Sequence, residues 1–104
     1  MLRLAVSGGA PMPVELMRDF EQAFGVRIIE GYGLSETSPV ASFNHLDRPS
    51  KPGTVGQPLF AVDIMIVNDR DEPVETDQPG EVVIRGHNVM KGYFEEPEKT
   101  AETI

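Results

Sequence analysis

The chain has 104 residues, with 17 acidic side chains against 9 basic ones, no cysteine and a formal net charge of −8. This length suits one small domain with a modest core, and the absence of thiols excludes disulfide frameworks, thiolate zinc sites and cysteine nucleophiles. The acidic excess repels polyanions, and without a run of Lys or Arg to neutralise phosphates, nucleic acid is excluded as a partner.

Residues 2 to 6 read as a buried strand leaving its sheet through Ser7-Gly8-Gly9-Ala10-Pro11. No apolar run approaches the roughly 20 residues that span a bilayer. Gly8, Gly9 and Pro11 also cut the first run too early for a signal peptide, so the expected location is cytoplasmic. Over residues 13 to 24, Leu16, Met17, Phe20 and Phe24 recur at helical spacing, with Pro13 near the first turn and Gly25 as the stop. Residues 26 to 29 are β-rich, so residues 2 to 30 make a strand, helix, strand unit of a parallel sheet whose strands call for cover on both faces, although a second helical layer is not encoded here.

Residues 31 to 56 hold many Gly, Pro, Ser and Asn residues and read as loop, with one short strand over 40 to 43. Residues 62 to 67 alternate as a strand, residues 68 to 73 turn, and residues 80 to 86 supply the next strand, antiparallel if the connection is local. Residues 97 to 104 begin a helix on a proline, with acids in its first turn. The expected fold class is mixed α/β: a strand-helix-strand piece of a parallel sheet followed by an antiparallel β-barrel-like segment, both partial. The expected divisions are a partial α/β subdomain over 1–48, a partial antiparallel β subdomain over 49–96 and the start of a truncated helix over 97–104. Such an order reads as cut from something larger.

Among motifs, Gly31-Tyr32-Gly33-Leu34-Ser35-Glu36 opens like a dinucleotide fingerprint but places Glu36 where the third glycine belongs, and its charge opposes a pyrophosphate. No phosphate loop and no nucleophile elbow occurs. Asp69 and Asp71 begin like a calcium loop, but Pro73 and Val74 break it, leaving a hairpin turn. His45 and His87 have no paired ligand spacing. Glu36 carries two readings: a hard oxygen ligand for Mg²⁺ beside hydroxyls suited to phosphate, or an acid serving the dipole of a short helix that Ser35 or Thr37 caps. Tyr32 likewise offers its ring to a purine or to packing.

Four segments in order, S-G-G-A-P-M-P over 7–13, G-Y-G-L-S-E-T over 31–37, G-T-V-G-Q-P-L over 53–59 and G-E-V-V-I-R-G-H-N-V-M-K-G-Y over 80–93, resemble motifs of the adenylate-forming superfamily. That group comprises acyl-CoA synthetases, luciferases and peptide-synthetase adenylation domains, and the likeness is greatest to a fatty-acid CoA ligase. The resemblance implies that Gly8, Gly9, Ala10 and Pro11 border the nucleotide together with Gly31, Tyr32, Gly33 and Ser35. In it the ring of Tyr32 packs on adenine, Ser35 replaces the usual threonine at the α-phosphate, and Glu36 holds Mg²⁺. Gly33, Val55 and Gly56 would border the acyl pocket.

By the same resemblance the parent is an AMP-forming acid-thiol ligase that uses ATP, Mg²⁺ and CoA to activate a small-molecule carboxylate. The family's phosphate loop, its ribose-binding aspartate and its adenylation lysine have no counterpart here, and Lys91 lies in a different motif. No catalytic set is complete, so the chain alone is expected to be inactive and to hold no cofactor tightly. Bare sheet surface would favour self-association, and residues 44 to 55 partial disorder. The competing reading is a free-standing acidic protein-interaction module without catalysis, followed by a small sensor of AMP or ATP.

Overall fold

The computed structural model describes residues 1–104 as two sheets and two helices. The elements are β1 (Leu4–Ser7), α1 (Val14–Phe24), β2 (Arg27–Gly33), a 3₁₀ turn (Ser35–Thr37), β3 (Val40–Phe43), β4 (Gln57–Pro58), β5 (Val62–Val67), β6 (Glu81–Gly86) and α2 (Pro97–Thr103). One sheet has the order β1-β2-β3-β4 and the other pairs β5 with β6.

The first thirty residues fold as the periodicity predicts. α1 follows Pro13 and stops at Gly25, whose left-handed φ of 64° lets its N–H close on the Glu21 carbonyl. Strands β1 and β2 are parallel, from Leu4 opposite Arg27 to Ser7 opposite Glu30. The Glu21 carboxylate accepts the Ile28 N–H at 2.8 Å, which ties the end of the helix to the strand it precedes. Met17 is the buried side chain of α1, at 3% exposure, and burying it contributes about 1.5–3 kcal/mol.

Cover on both faces is not found throughout. Ile28, Ile29 and Glu30 are buried in succession, as a strand enclosed on two sides requires, but Val6 in β1 is 62% exposed. Phe60 and Phe94 are 94% and 87% exposed, and only 10 of 104 residues are buried, so the apolar surface exceeds what these elements can cover.

The expectation of loop from residue 31 is corrected. β2 runs on through Gly31-Tyr32-Gly33 because β3 returns antiparallel beside it, pairing Gly31 with Phe43 and Tyr32 with Ser42. Glycine is required by this close approach. A Cβ on Gly31 would lie 2.6 Å from the Phe43 ring, and one on Gly33 would collide with the Pro39 carbonyl.

Residues 44 to 55 are pinned at several points, against the expectation of partial disorder. Arg27 donates to the carbonyls of Leu46 and Arg48 at 2.7 and 2.6 Å and to the Ser50 hydroxyl at 3.0 Å. The Ser42 hydroxyl donates to the Val55 carbonyl at 2.8 Å. Gly53 donates its N–H to the carboxylate of buried Glu30 at 3.2 Å. β4 then adds to β3, so Gln57 and Pro58 belong to the first sheet.

The barrel-like expectation is also corrected. β5 and β6 pair along their whole length, Val62 opposite Gly86 through Val67 opposite Glu81, but form an open two-stranded ribbon. Two strands cannot supply the tilt and stagger that closure needs. The turn after β5 is organised by Asn68, whose side-chain oxygen accepts the N–H groups of Arg70 and Glu72, in place of any calcium loop.

Candidate functional site

β1 and β2 both end at one edge of the parallel pair, where Ser7-Gly8-Gly9 leaves one strand and Gly31-Tyr32-Gly33 closes the other. Beyond the carboxyl ends of parallel strands is where open α/β sheets place ligands, because the diverging loops leave a crevice there. Two adjoining clefts occupy this position, of about 340 and 400 Å³, and share Ser7, Gly8, Gly9, Gly31, Tyr32, Gly33 and Leu34. They form one trough.

The structure brings most of the candidate residues into that trough. Ser35 lines its first part, and Ala10, Pro11 and Val55 line its second. Gly56 lies elsewhere: it lines a polar cleft with Asn44, His45, Arg48 and Lys51, its φ is 81°, and a Cβ on it would stand 2.0 Å from the Phe43 backbone. No Lys or Arg lines either part of the trough.

The segment after Leu34 turns sharply. Thr37 stabilises the turn, its hydroxyl accepting the Leu34 N–H at 2.9 Å and donating to the Pro39 carbonyl at 2.7 Å. This is the capping role foreseen for Thr37; the Ser35 hydroxyl takes no part in it.

Glu36 does not line the trough. It lines an adjoining cleft of about 460 Å³ with Thr37, Glu81, Ile84, Val89 and Thr103, which shares only Leu34 with the trough. The Tyr93 phenol, which does not line that cleft, donates a hydrogen bond to Oε1 of Glu36. Tyr93, followed by the Glu36 backbone and the charge of Lys99, holds the carboxyl below its ordinary value against the opposing effect of burial. The same bond, then burial and the carboxylate's charge, pushes the Tyr93 phenol above its ordinary value. Tyr93 was visible in the sequence only as the end of a motif; nothing local signals a partner 57 positions away.

No trio of His, Cys, Asp or Glu side chains is placed to enclose a metal ion. Glu36 offers a single carboxylate, which is compatible only with an ion that takes its remaining oxygens from water or a ligand's phosphates, as magnesium does. Two residues that sequence reasoning passed over also shape the site. Glu30 lines the trough while holding Gly53, and Asn88 donates to the Val40 carbonyl at 2.8 Å with its own side-chain oxygen buried and unpartnered.

Residues 1–94 match the family described as AMP-binding enzyme. The chain is 38% identical over 104 residues to a long-chain-fatty-acid–CoA ligase of Bacillus subtilis, covering 99% of this chain and 19% of that protein. It is 38% identical, again over 104 residues, to a feruloyl-CoA synthase of Amycolatopsis sp., covering 99% and 21%. In structure it is similar to the anthranilate CoA ligase AuaEII in complex with anthranoyl-AMP, with TM-score 0.90, 29% identity, and 97% of this chain and 19% of that one covered. The chain thus spans about a fifth of the length of the relatives it matches.

Proposed function

The chain belongs to the AMP-binding enzyme family, and on that premise we propose that it is a segment of a carboxylate-CoA ligase contributing one wall of the nucleotide and acyl site. The observation that carries this reading is the trough: two motifs some 24 positions apart, starting at Ser7 and Gly31, meet where parallel strands end.

In the reaction proposed for the whole ligase, a carboxylate oxygen of the substrate attacks the α-phosphorus of ATP, the bond to the β-phosphate oxygen breaks, and pyrophosphate leaves. The CoA sulfur, having lost its proton, then attacks the acyl carbonyl, and AMP leaves. Within this chain, Tyr32 presents its ring to the adenine, the Gly8-Gly9 backbone lets the nucleotide approach closely, and the Ser35 hydroxyl meets the α-phosphate. Val55 and Gly33 border the acyl group. Glu36 would hold a magnesium ion through one carboxylate oxygen, and the ion would supply neutralisation of charge on the phosphates. A fatty acid is the proposed carboxylate and the cytoplasm the proposed location; no helix is long and apolar enough to cross a membrane.

The 104 residues are proposed not to adenylate by themselves. Phosphoryl transfer needs cations around the reacting phosphate, and none of the side chains lining the trough is basic. The test is pyrophosphate release with ATP, Mg²⁺ and fatty acids of several lengths: no turnover above background is expected, and sustained release that scales with chain concentration contradicts the reading. Nothing observed favours the interaction-module alternative over the family assignment.

A further inference from the structure

Glu36 is held more firmly than a lone carboxylate on a 3₁₀ turn needs to be. Its side chain bonds the Tyr93 phenol through Oε1, and its carbonyl accepts the Met90 N–H at 2.8 Å. No donor of the chain reaches Oε2. Tyr93 is fixed in turn: its N–H donates to the Thr100 hydroxyl at 2.9 Å, and Lys99 Nζ stands 4.7 Å from its ring centroid. Gly92, with φ 153°, makes room for this contact, since a Cβ there would lie 2.6 Å from Thr100 Cγ2.

We propose that Tyr93 is a positioning residue for Glu36, tying Oε1 so that Oε2 alone is presented to a divalent cation. The inference rests on the reading of Glu36 as a cation ligand. A free glutamate samples several rotamers and loses that freedom on binding a metal. A phenol already bonded to one oxygen removes part of that loss and fixes which oxygen remains. The anchoring of Tyr93 to α2 makes the geometry at Glu36 depend on residues beyond β6.

The test uses the 104-residue chain as wild type, Tyr93→Phe and Glu36→Gln, with two readouts. Without metal, three-bond couplings along the Glu36 side chain report its rotamers: one rotamer is expected in wild type and averaging in Tyr93→Phe. With Mn²⁺ alone as probe, paramagnetic broadening centred on residue 36 is expected in wild type, absent in Glu36→Gln, and shifted to about 10-fold higher Mn²⁺ in Tyr93→Phe. Unchanged couplings with equal or tighter Mn²⁺ binding in Tyr93→Phe, while Glu36→Gln loses it, overturn the positioning role and leave the ligand role standing. Broadening that persists in Glu36→Gln, or never centres on residue 36 in wild type, overturns the ligand role and this inference with it. Should Tyr93→Phe unfold residues 93–104, Thr100→Val, which removes the hydroxyl that accepts the Tyr93 N–H and donates to the Glu96 carbonyl while leaving the phenol in place, carries the same comparison with a smaller shift in the same direction.

Discussion

The ring of Phe43 lies against Gly31, so close that a single added methyl would stand 2.6 Å from Cε2 and 2.8 Å from Cδ2. Both residues line the first part of the trough. Gly31→Ala is therefore expected to destabilise the chain by about 1–3 kcal/mol, the usual range for overpacking. Adding Phe43→Leu should recover part of that loss. Urea midpoints of the two variants check it, and a Gly31→Ala midpoint equal to wild type contradicts the contact.

Glu30 is 8% exposed, and its carboxylate accepts the Gly53 N–H. Glu30→Ala removes that acceptor and is expected to cost about 1–3 kcal/mol. The Gly53 amide should exchange with solvent faster than in wild type. Exchange at Gly53 that does not change would show that the loop is held by its other bonds.

Arg27 spreads its guanidinium over three acceptors in residues 46 to 50, a fork that a lysine cannot reproduce. Arg27→Lys is expected to increase proteolytic cleavage within residues 46 to 51 while leaving α1 intact. Equal cleavage rates in the two proteins contradict the anchoring.

The Glu36–Tyr93 bond gives stability a defined pH window. Glu36 has a lowered folded value, so its contribution is complete above the unfolded value of 4.5 and is lost as pH falls through the depressed one. Tyr93 has a raised folded value, so its contribution is complete below 10.0 and is lost as pH rises through the elevated one. Tyr93→Phe should flatten both limbs of a melting temperature against pH curve, and limbs that persist unchanged rule the bond out as their source.

Val6, Phe24, Phe60 and Phe94 are each more than 60% exposed. Surface of this kind promotes association, so sedimentation coefficients should rise with concentration. Phe60→Ser should lower that rise, and a monomer at every concentration contradicts the expectation.

What the sequence reveals and what it hides divide along contact range. α1 and its Gly25 stop, the parallel pairing of β1 with β2, and the hairpin of β5 and β6 follow from periodicity and local punctuation. The extension of β2 through Gly31-Tyr32-Gly33 does not, because those glycines read as a turn until Phe43 and Pro39 are seen packed against them. β4 is hidden for a similar reason: a two-residue strand containing Pro58 has no pattern of its own and exists through its pairing with Ser42 and Phe43.

The candidate site is legible in the same uneven way. Gly8, Gly9, Tyr32, Gly33 and Ser35 stand out as motifs, and the structure gathers them at one edge. The placement of Glu36 in the neighbouring cleft, and Tyr93 as its partner, depend on the path of residues 86 to 93 around the 3₁₀ turn, which no local signal specifies.

Titration of the ¹⁵N-labelled chain with AMP bears most directly on whether residues 7–11 and 31–35 form a single nucleotide wall. The account predicts that the amides of Gly8, Gly9, Tyr32, Gly33 and Ser35 shift together along one curve, with a Kd of about 1 mM or weaker. Shifts confined to the polar cleft around His45, Arg48 and Lys51, or none at these five amides by about 10 mM, would contradict it.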